Sequence, residues 1–153
     1  MNPLLKLMMT PRGLAFDCWC VRRTGISPLT HLFARMAGYK PYAPAVCLMT
    51  RGRRSGAMRA VALPSYVLGG QVYVVGSKGG APTDPFWVSN LRACADVVVY
   101  LRRRRNPVRA RVVEGAERGP LWDQLVTMVP QYAAYQDMTS RPIPVVLLEG
   151  LKP

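Results

Sequence analysis

From residue 45 onward the apolar residues come in short blocks broken by glycine and proline, the rhythm of β-strands. Candidate strands are Val46 to Arg51, Arg59 to Leu68, Gln71 to Ser77, Val97 to Arg102, Val108 to Glu114 and Pro144 to Glu149. Gly52 and Gly56, Gly69-Gly70 and Asn106-Pro107 mark turns between them. Helical spacing takes over at Asp84 to Arg92 and at Ala116 to Val129, where Leu121, Trp122, Leu125 and Met128 form one apolar face. The first 44 residues differ, reading as two or three short helices closed by Gly13, Gly25 and Gly38. The third of these opens on Ser27-Pro28, an N-cap followed by proline at the first helical position. Helices interrupt a mostly antiparallel strand order without strict βαβ alternation. The predicted class is therefore α+β, mainly β: a small closed or split barrel with helices over its mouth. An N-terminal helical arm (1–44) precedes a barrel domain (45–153).

Composition narrows the partners. Half of the 153 residues are apolar and 19% are charged, which is globular composition. The 21 Lys and Arg against 8 Asp and Glu leave a net charge of +13, which calls for an anionic partner. His31 is the only histidine, so a histidine-rich metal site and a Ser-His-Asp triad away from it are excluded. Cys18, Cys20, Cys47 and Cys94 lack zinc-ligand spacing, and reduced thiols in the cytoplasm are the expectation. No apolar run reaches the length of a membrane span. In the arm, apolar and aromatic residues are flanked by Lys6, Arg12, Arg22, Arg23 and Arg35. That pattern fits a helix lying on the anionic inner face of the cytoplasmic membrane, and equally an arm covering the open end of the sheet.

Two cationic turns carry the candidate chemistry. Gly52-Arg53-Arg54-Ser55-Gly56 joins two strands, with Arg59 at the base of the second. Three guanidiniums within reach of one another repel unless an anion sits among them. Gly76-Ser77-Lys78-Gly79-Gly80 follows a strand and leads into a helix, so backbone N–H groups, Lys78 and the Ser77 hydroxyl favour an anionic or carbonyl-bearing ligand. Neither turn has P-loop spacing. Tyr132 and Tyr135, three apart on one helical face, suit either a core or a clamp over a flat ring. Arg102 to Arg105 precede Asn106-Pro107 and read as a hairpin tip. No nucleic-acid-reading module accompanies this charge, so nucleic acid is not expected as a partner. The scattered carboxylates offer no hydrolytic or metal-binding pair, so an enzyme of this sequence draws its hard chemistry from an organic cofactor.

Taken in order, these residues resemble the deazaflavin-dependent nitroreductases of actinobacteria, also called quinone reductases dependent on coenzyme F-420. The resemblance spans Ala45 to Leu148. It is carried by Gly52 to Gly56 with Arg59, by Ser77 to Pro82, by Pro85-x-Trp87-x-x-Asn90-Leu91, by Leu121-Trp122 and Pro130-x-Tyr132-x-x-Tyr135-Gln136, and by Ile143 to Val146. It implies a split β-barrel like that of FMN-binding proteins, and a deazaflavin whose phosphate and glutamate tail would account for the basic turns. It further implies that Arg53, Arg54 and Arg59 hold the tail, with Ser55, Leu63, Gly76, Pro85, Trp87 and Asn90 completing the cofactor site. Lys78, Gly79 and Gly80 would contact the cofactor from the opposite turn. Ser77, Tyr132 and Tyr135 would serve catalysis, with Ser77 and Tyr132 also contacting the cofactor at its ring.

The implied reaction is hydride transfer from reduced coenzyme F-420 to an electron-poor small molecule such as a quinone or activated enone, with nitroaromatics adventitious. The chain would act as a monomer or homodimer. An FMN-dependent split-barrel reductase, and a non-catalytic protein binding deazaflavin or anionic lipid, are the alternative readings. Ala62, Pro64 and Val129 depart from the family's proline and aromatic positions, which makes the substrate side less aromatic. Tyr66 stays on the face of Pro64 unless a bulge intervenes.

Overall fold

A computed structural model describes residues 3–36, 38 and 44–153. Six antiparallel strands, β1 (Ala45–Arg51), β2 (Met58–Leu68), β3 (Gln71–Val75), β4 (Asp96–Leu101), β5 (Arg104–Val112) and β6 (Val145–Glu149), close in the order β1-β2-β3-β6-β5-β4. Closure removes the sheet edges that would otherwise invite pairing. Side-chain alternation sends Val46, Leu48, Val72, Val74, Val97, Val99, Val146 and Leu148 inward. Helix α4 (Phe86–Ala93) plugs one mouth, packing Trp87, Val88 and Leu91 onto that interior. The predicted Asp84 to Arg92 helix thus forms two residues later, after Pro85. Gly76 makes the plug possible: a Cβ there would stand 2.9 Å from Val88 Cγ2.

A second core lies outside the barrel wall. Outward-facing Tyr66, Tyr73, Val75, Val145 and Leu147 meet Leu125 of α5 (Arg118–Met128) and Tyr132 of α6 (Gln131–Asp137). Leu121, Trp122 and Met128 pack partly buried against this cluster, as the predicted apolar face requires. The β1 register runs unbroken to Pro64, and Ser65 takes up pairing with β3, so no bulge turns Tyr66 away.

The arm departs from the sequence reading in two ways. It forms α1 (Pro3–Met8), α2 (Pro11–Thr24) and α3 (Pro28–Met36), but Gly13 lies inside α2 rather than ending a helix. A Cβ at Gly13 would stand 2.5 Å from the carbonyl oxygens of Leu7 and Met8, so glycine permits the close α1–α2 approach. Thr10 caps α2 instead, and Gly25 closes it at φ 78°. Nor does the arm cover an open end. The barrel is closed, and α2 lies on its outer wall, where Cys18 and Val21 pack on Ala45 and Cys47. The Cys18 thiol is pushed up by its hydrogen bond to Cys47 and by burial, which keeps it protonated. Asp17, 2% exposed, accepts hydrogen bonds from the Ser27 hydroxyl and the Leu29 N–H, pinning the start of α3 to α2. Ser27 Oγ in turn accepts from the Thr30 N–H, the expected cap.

The β4–β5 turn also moves. Leu101 pairs with Arg104, so Arg102 and Arg103 alone form the tip, with φ 49° and 68°. Arg104, Arg105, Asn106 and Pro107 belong to β5. Counting from this two-residue turn, Pro107 falls at a non-hydrogen-bonded position opposite Val98, and β6 pairs with β5 only from Arg109. Its missing N–H costs the ladder nothing, which is why a proline–asparagine turn signal sits inside a strand. Among the described residues no helix is long and apolar enough to cross a membrane.

Candidate functional site

The β1–β2 turn and the start of α4 enclose a cleft of about 520 Å³ lined by Arg53, Arg54, Ser55, Arg59, Phe86, Trp87 and Asn90, with Gly52, Ala60 and Val61 at its base. Six of the predicted cofactor residues thus converge. Arg53, Arg54 and Arg59 are exposed, and among the described residues none of their guanidiniums makes an ion pair or hydrogen bond. No carboxylate lines the cleft. Three unneutralised cations around one concavity, beside the uncapped N-terminus of α4, give it a positive potential suited to a polyanion.

The turn is held rigidly from below. Asn90, buried on α4, accepts from the Arg53 N–H at 3.2 Å and donates to Thr50 Oγ1 inside the barrel at 3.1 Å. Asn90 is therefore a clamp on the cationic turn as well as part of its wall. Gly52 is needed because a Cβ would lie 2.9 Å from Ser55 Oγ and 3.1 Å from the Ala57 carbonyl.

The second turn borders the first. Lys78, at φ 48°, places its Nζ 5.6 Å from the centre of the Phe86 ring on the cleft and donates to Thr83 Oγ1 at 2.9 Å. Gly80 faces the other way, against α6, where a Cβ would stand 2.8 Å from the Tyr135 carbonyl oxygen. Lys78 to Gly80 thus bridges the arginine cleft and the tyrosine helix. Pro85 and Gly79 lie on the same connecting segment, whereas Gly76 is buried beneath Val88. Leu63 is not brought to the cleft: it lies on the inward face of β2, packed on the barrel core.

The three candidate catalytic hydroxyls have different fates. Tyr132 is buried, its Oη 2.8 Å from Tyr66 Oη, and its ring packs edge-on to Tyr66 and 6.2 Å from Trp122. Half-buried Tyr135 stands 6.5 Å from Tyr132, and its Oη has no hydrogen-bond partner among the described residues. Ser77 Oγ is likewise unpartnered within the described protein. Ser77 and Tyr135 can therefore offer a proton or a hydrogen bond to a ligand without breaking one inside the protein.

Three contributors are given no role by the sequence reading. Phe86 is 76% exposed on the cleft rim and was detectable only as the unassigned position between Pro85 and Trp87. Arg141 donates to the carbonyls of Ala81 and Ser77, each at 2.8 Å, and pairs with Asp84 at 2.9 Å, so one side chain gathers the whole glycine turn. Gln136 steadies it by donating to the Arg141 carbonyl at 2.8 Å. Nothing local in the sequence singles out Arg141, because its partners lie some 60 residues upstream.

A profile of the F420H(2)-dependent quinone reductase family matches residues 23–150, which covers both turns, the α4 motif and the tyrosine helix. The chain belongs to that family. As a member, it is a reductase whose cofactor is coenzyme F-420. Among its relatives, the F420H(2)-dependent quinone reductase Rv1261c of Mycobacterium tuberculosis is 38% identical over 110 residues, spanning 69% of this chain and 72% of that protein. A solved F420-H2 dependent reductase, FDR-A, is 39% identical and superposes with a TM-score of 0.61, over 69% of this chain and 94% of its own. A second solved structure, described as a domain-swapped dimer, is 35% identical with a TM-score of 0.62, over 78% of this chain and 95% of its own. The cleft fits the family's cofactor in kind: it is cationic, lacks carboxylates and is large enough for an extended anionic chain.

Proposed function

We propose that the protein reduces a quinone or an activated enone, holding the phosphate and glutamate tail of coenzyme F-420 in the arginine cleft and presenting the acceptor beside the glycine turn and α6. The observation that carries this reading is the set of three ion-pair-free arginines around a carboxylate-free cleft, which Lys78 of the glycine turn borders at Phe86. When bound, the reduced deazaflavin supplies a hydride. The chain supplies position and charge. Arg53, Arg54 and Arg59 neutralise the tail, and Asn90 keeps their turn in place. Lys78 and the backbone of Gly79 and Gly80 add positive potential between cleft and helix. Ser77 Oγ and Tyr135 Oη stabilise the acceptor oxygen as it gains charge, and one of them, or water, delivers the proton that completes the reduction. Tyr132, tied to Tyr66, sets the position of α6 and the floor beside the ring.

With Ala62, Pro64 and Val129 at positions that carry proline or aromatics in the family pattern, nitroaromatic reduction is adventitious. The barrel (45–153) acts as a monomer or homodimer, and the arm (1–44) brings it to the inner face of the cytoplasmic membrane.

Titration of the purified protein with oxidised coenzyme F-420, and in parallel with FMN, tests the reading by fluorescence quenching. Micromolar or tighter binding of the deazaflavin alone is expected, weakened in Lys78→Ala; a panel of quinones and enones with the reduced cofactor then assigns the acceptor. Preference for FMN would overturn the cofactor assignment, and equal affinity in Lys78→Ala and wild type would overturn the site.

A further inference from the structure

Lys78 does not itself line the arginine cleft, yet its ammonium stands at the rim. Two contacts put it there. Nζ donates to Thr83 Oγ1 at 2.9 Å and lies 5.6 Å from the centre of the Phe86 ring, a distance at which the ring quadrupole attracts a cation. All three residues are exposed. A lysine left free in water samples many rotamers and loses that freedom only when a ligand orders it.

Both partners are themselves held firmly. Thr83 lies between Pro82 and Asp84-Pro85. Asp84 is bridged by Arg141 at 2.9 Å and by Arg92, so the segment that presents the Thr83 hydroxyl is fixed from two sides. Phe86 opens α4, and the next residue, Trp87, is buried in the barrel mouth. The ring therefore stands on an anchored helix start. An exposed phenyl ring offers nothing to a phosphate or a carboxylate, and its electron-rich face repels them. Its place on a cleft otherwise rimmed by Arg53, Arg54 and Arg59 follows from the cation it holds.

We infer that Phe86 and Thr83 are positioning residues for Lys78, fixing its ammonium at the cleft rim as a fourth cation before a ligand arrives. The inference rests on the reading of the cleft as the site of the cofactor tail and names the residues that set its charge geometry. The three arginines come from the β1–β2 turn and from β2, whereas Lys78 comes from the turn after β3, so the fixed ammonium supplies charge from a second side. Thr83 uses one of the three ammonium donors and leaves two for an anionic oxygen. Order present in the free protein raises affinity without a further contact.

The first readout, a proton NMR spectrum, needs no cofactor. The chain has four lysines, Lys6, Lys40, Lys78 and Lys152, so the side-chain methylene signals of Lys78 are assigned by their absence in Lys78→Ala. In wild type the Phe86 ring current should displace them, and in Phe86→Leu they should return to ordinary lysine positions. The second readout is quenching with oxidised coenzyme F-420. Phe86→Leu and Thr83→Val should each weaken binding about twofold to fivefold, and Phe86→Tyr should match wild type. In a Lys78→Ala background neither substitution should weaken it further. Melting midpoints should stay near wild type, because both side chains are exposed. Ordinary Lys78 shifts in wild type would overturn the inference. So would a Phe86→Leu loss that persists in Lys78→Ala, which would assign the ring to the ligand instead. If wild type fails to bind coenzyme F-420 while the Phe86-dependent shift is present, the cofactor reading falls and the positioning of Lys78 stands.

Discussion

The hydroxyls of Tyr66 and Tyr132 meet at 2.8 Å between the barrel wall and α6, joining residues 66 positions apart. This bond ties the helix that carries Tyr135 to the outward face of β2, and it separates the roles of the two α6 tyrosines. Tyr66→Phe and Tyr132→Phe should each cost about 1 kcal/mol in urea denaturation, and the double variant less than their sum. Coenzyme affinity should hardly change. Turnover should fall in Tyr132→Phe through the displaced helix. Tyr135→Phe should lower kcat by about tenfold to a hundredfold if its hydroxyl serves the acceptor oxygen. Steady-state assays with a quinone decide: an unchanged kcat in Tyr135→Phe would remove that hydroxyl from the chemistry.

Asn90 predicts a coupled loss of stability and binding. Asn90→Leu leaves the Arg53 N–H and Thr50 Oγ1 without their partner, at a cost of roughly 1–3 kcal/mol. The cationic turn then loosens, so affinity for the oxidised cofactor drops even though no arginine has changed. Melting curves and quenching titrations on the same variant should move together.

Arg141 tests whether the glycine turn is assembled from a distance. Arg141→Ala removes bonds to Ser77, Ala81 and Asp84 and should cost about 2–3 kcal/mol. Arg141→Lys should rescue little, because an ammonium cannot match the planar fork that spans two carbonyls and a carboxylate. Amide hydrogen exchange over residues 76–84 should rise in both variants; protection equal to wild type would show that the turn holds itself.

Neighbouring glycines should respond unequally. Gly79 and Gly80 both have positive φ, but a Cβ on Gly79 meets open space while one on Gly80 collides with the Tyr135 carbonyl and Met138. Gly79→Ala should therefore cost about 1 kcal/mol of backbone strain. Gly80→Ala should cost clearly more and displace α6, lowering turnover as well. Comparable melting points for the two would contradict the packing of the turn on α6.

The sequence alone determined the six strands to within a few residues, the two cationic turns and the family. Alternation, glycine turns and motif order are local signals, written within stretches of about ten residues. The same locality explains its errors: Asn106-Pro107 reads as a turn until the register from Arg102-Arg103 leaves the proline N–H position unpaired. Gly13 reads as a terminator until α1 crowds against it. Tertiary structure alone decided that Arg141 gathers a loop 60 residues away, that Tyr132 spends its hydroxyl on Tyr66 while Tyr135 does not, and that α2 lies on a closed wall beside the arginine tip. Those outcomes depend on which distant groups barrel closure brings within hydrogen-bond reach, and no period or turn signal in the chain encodes that distance.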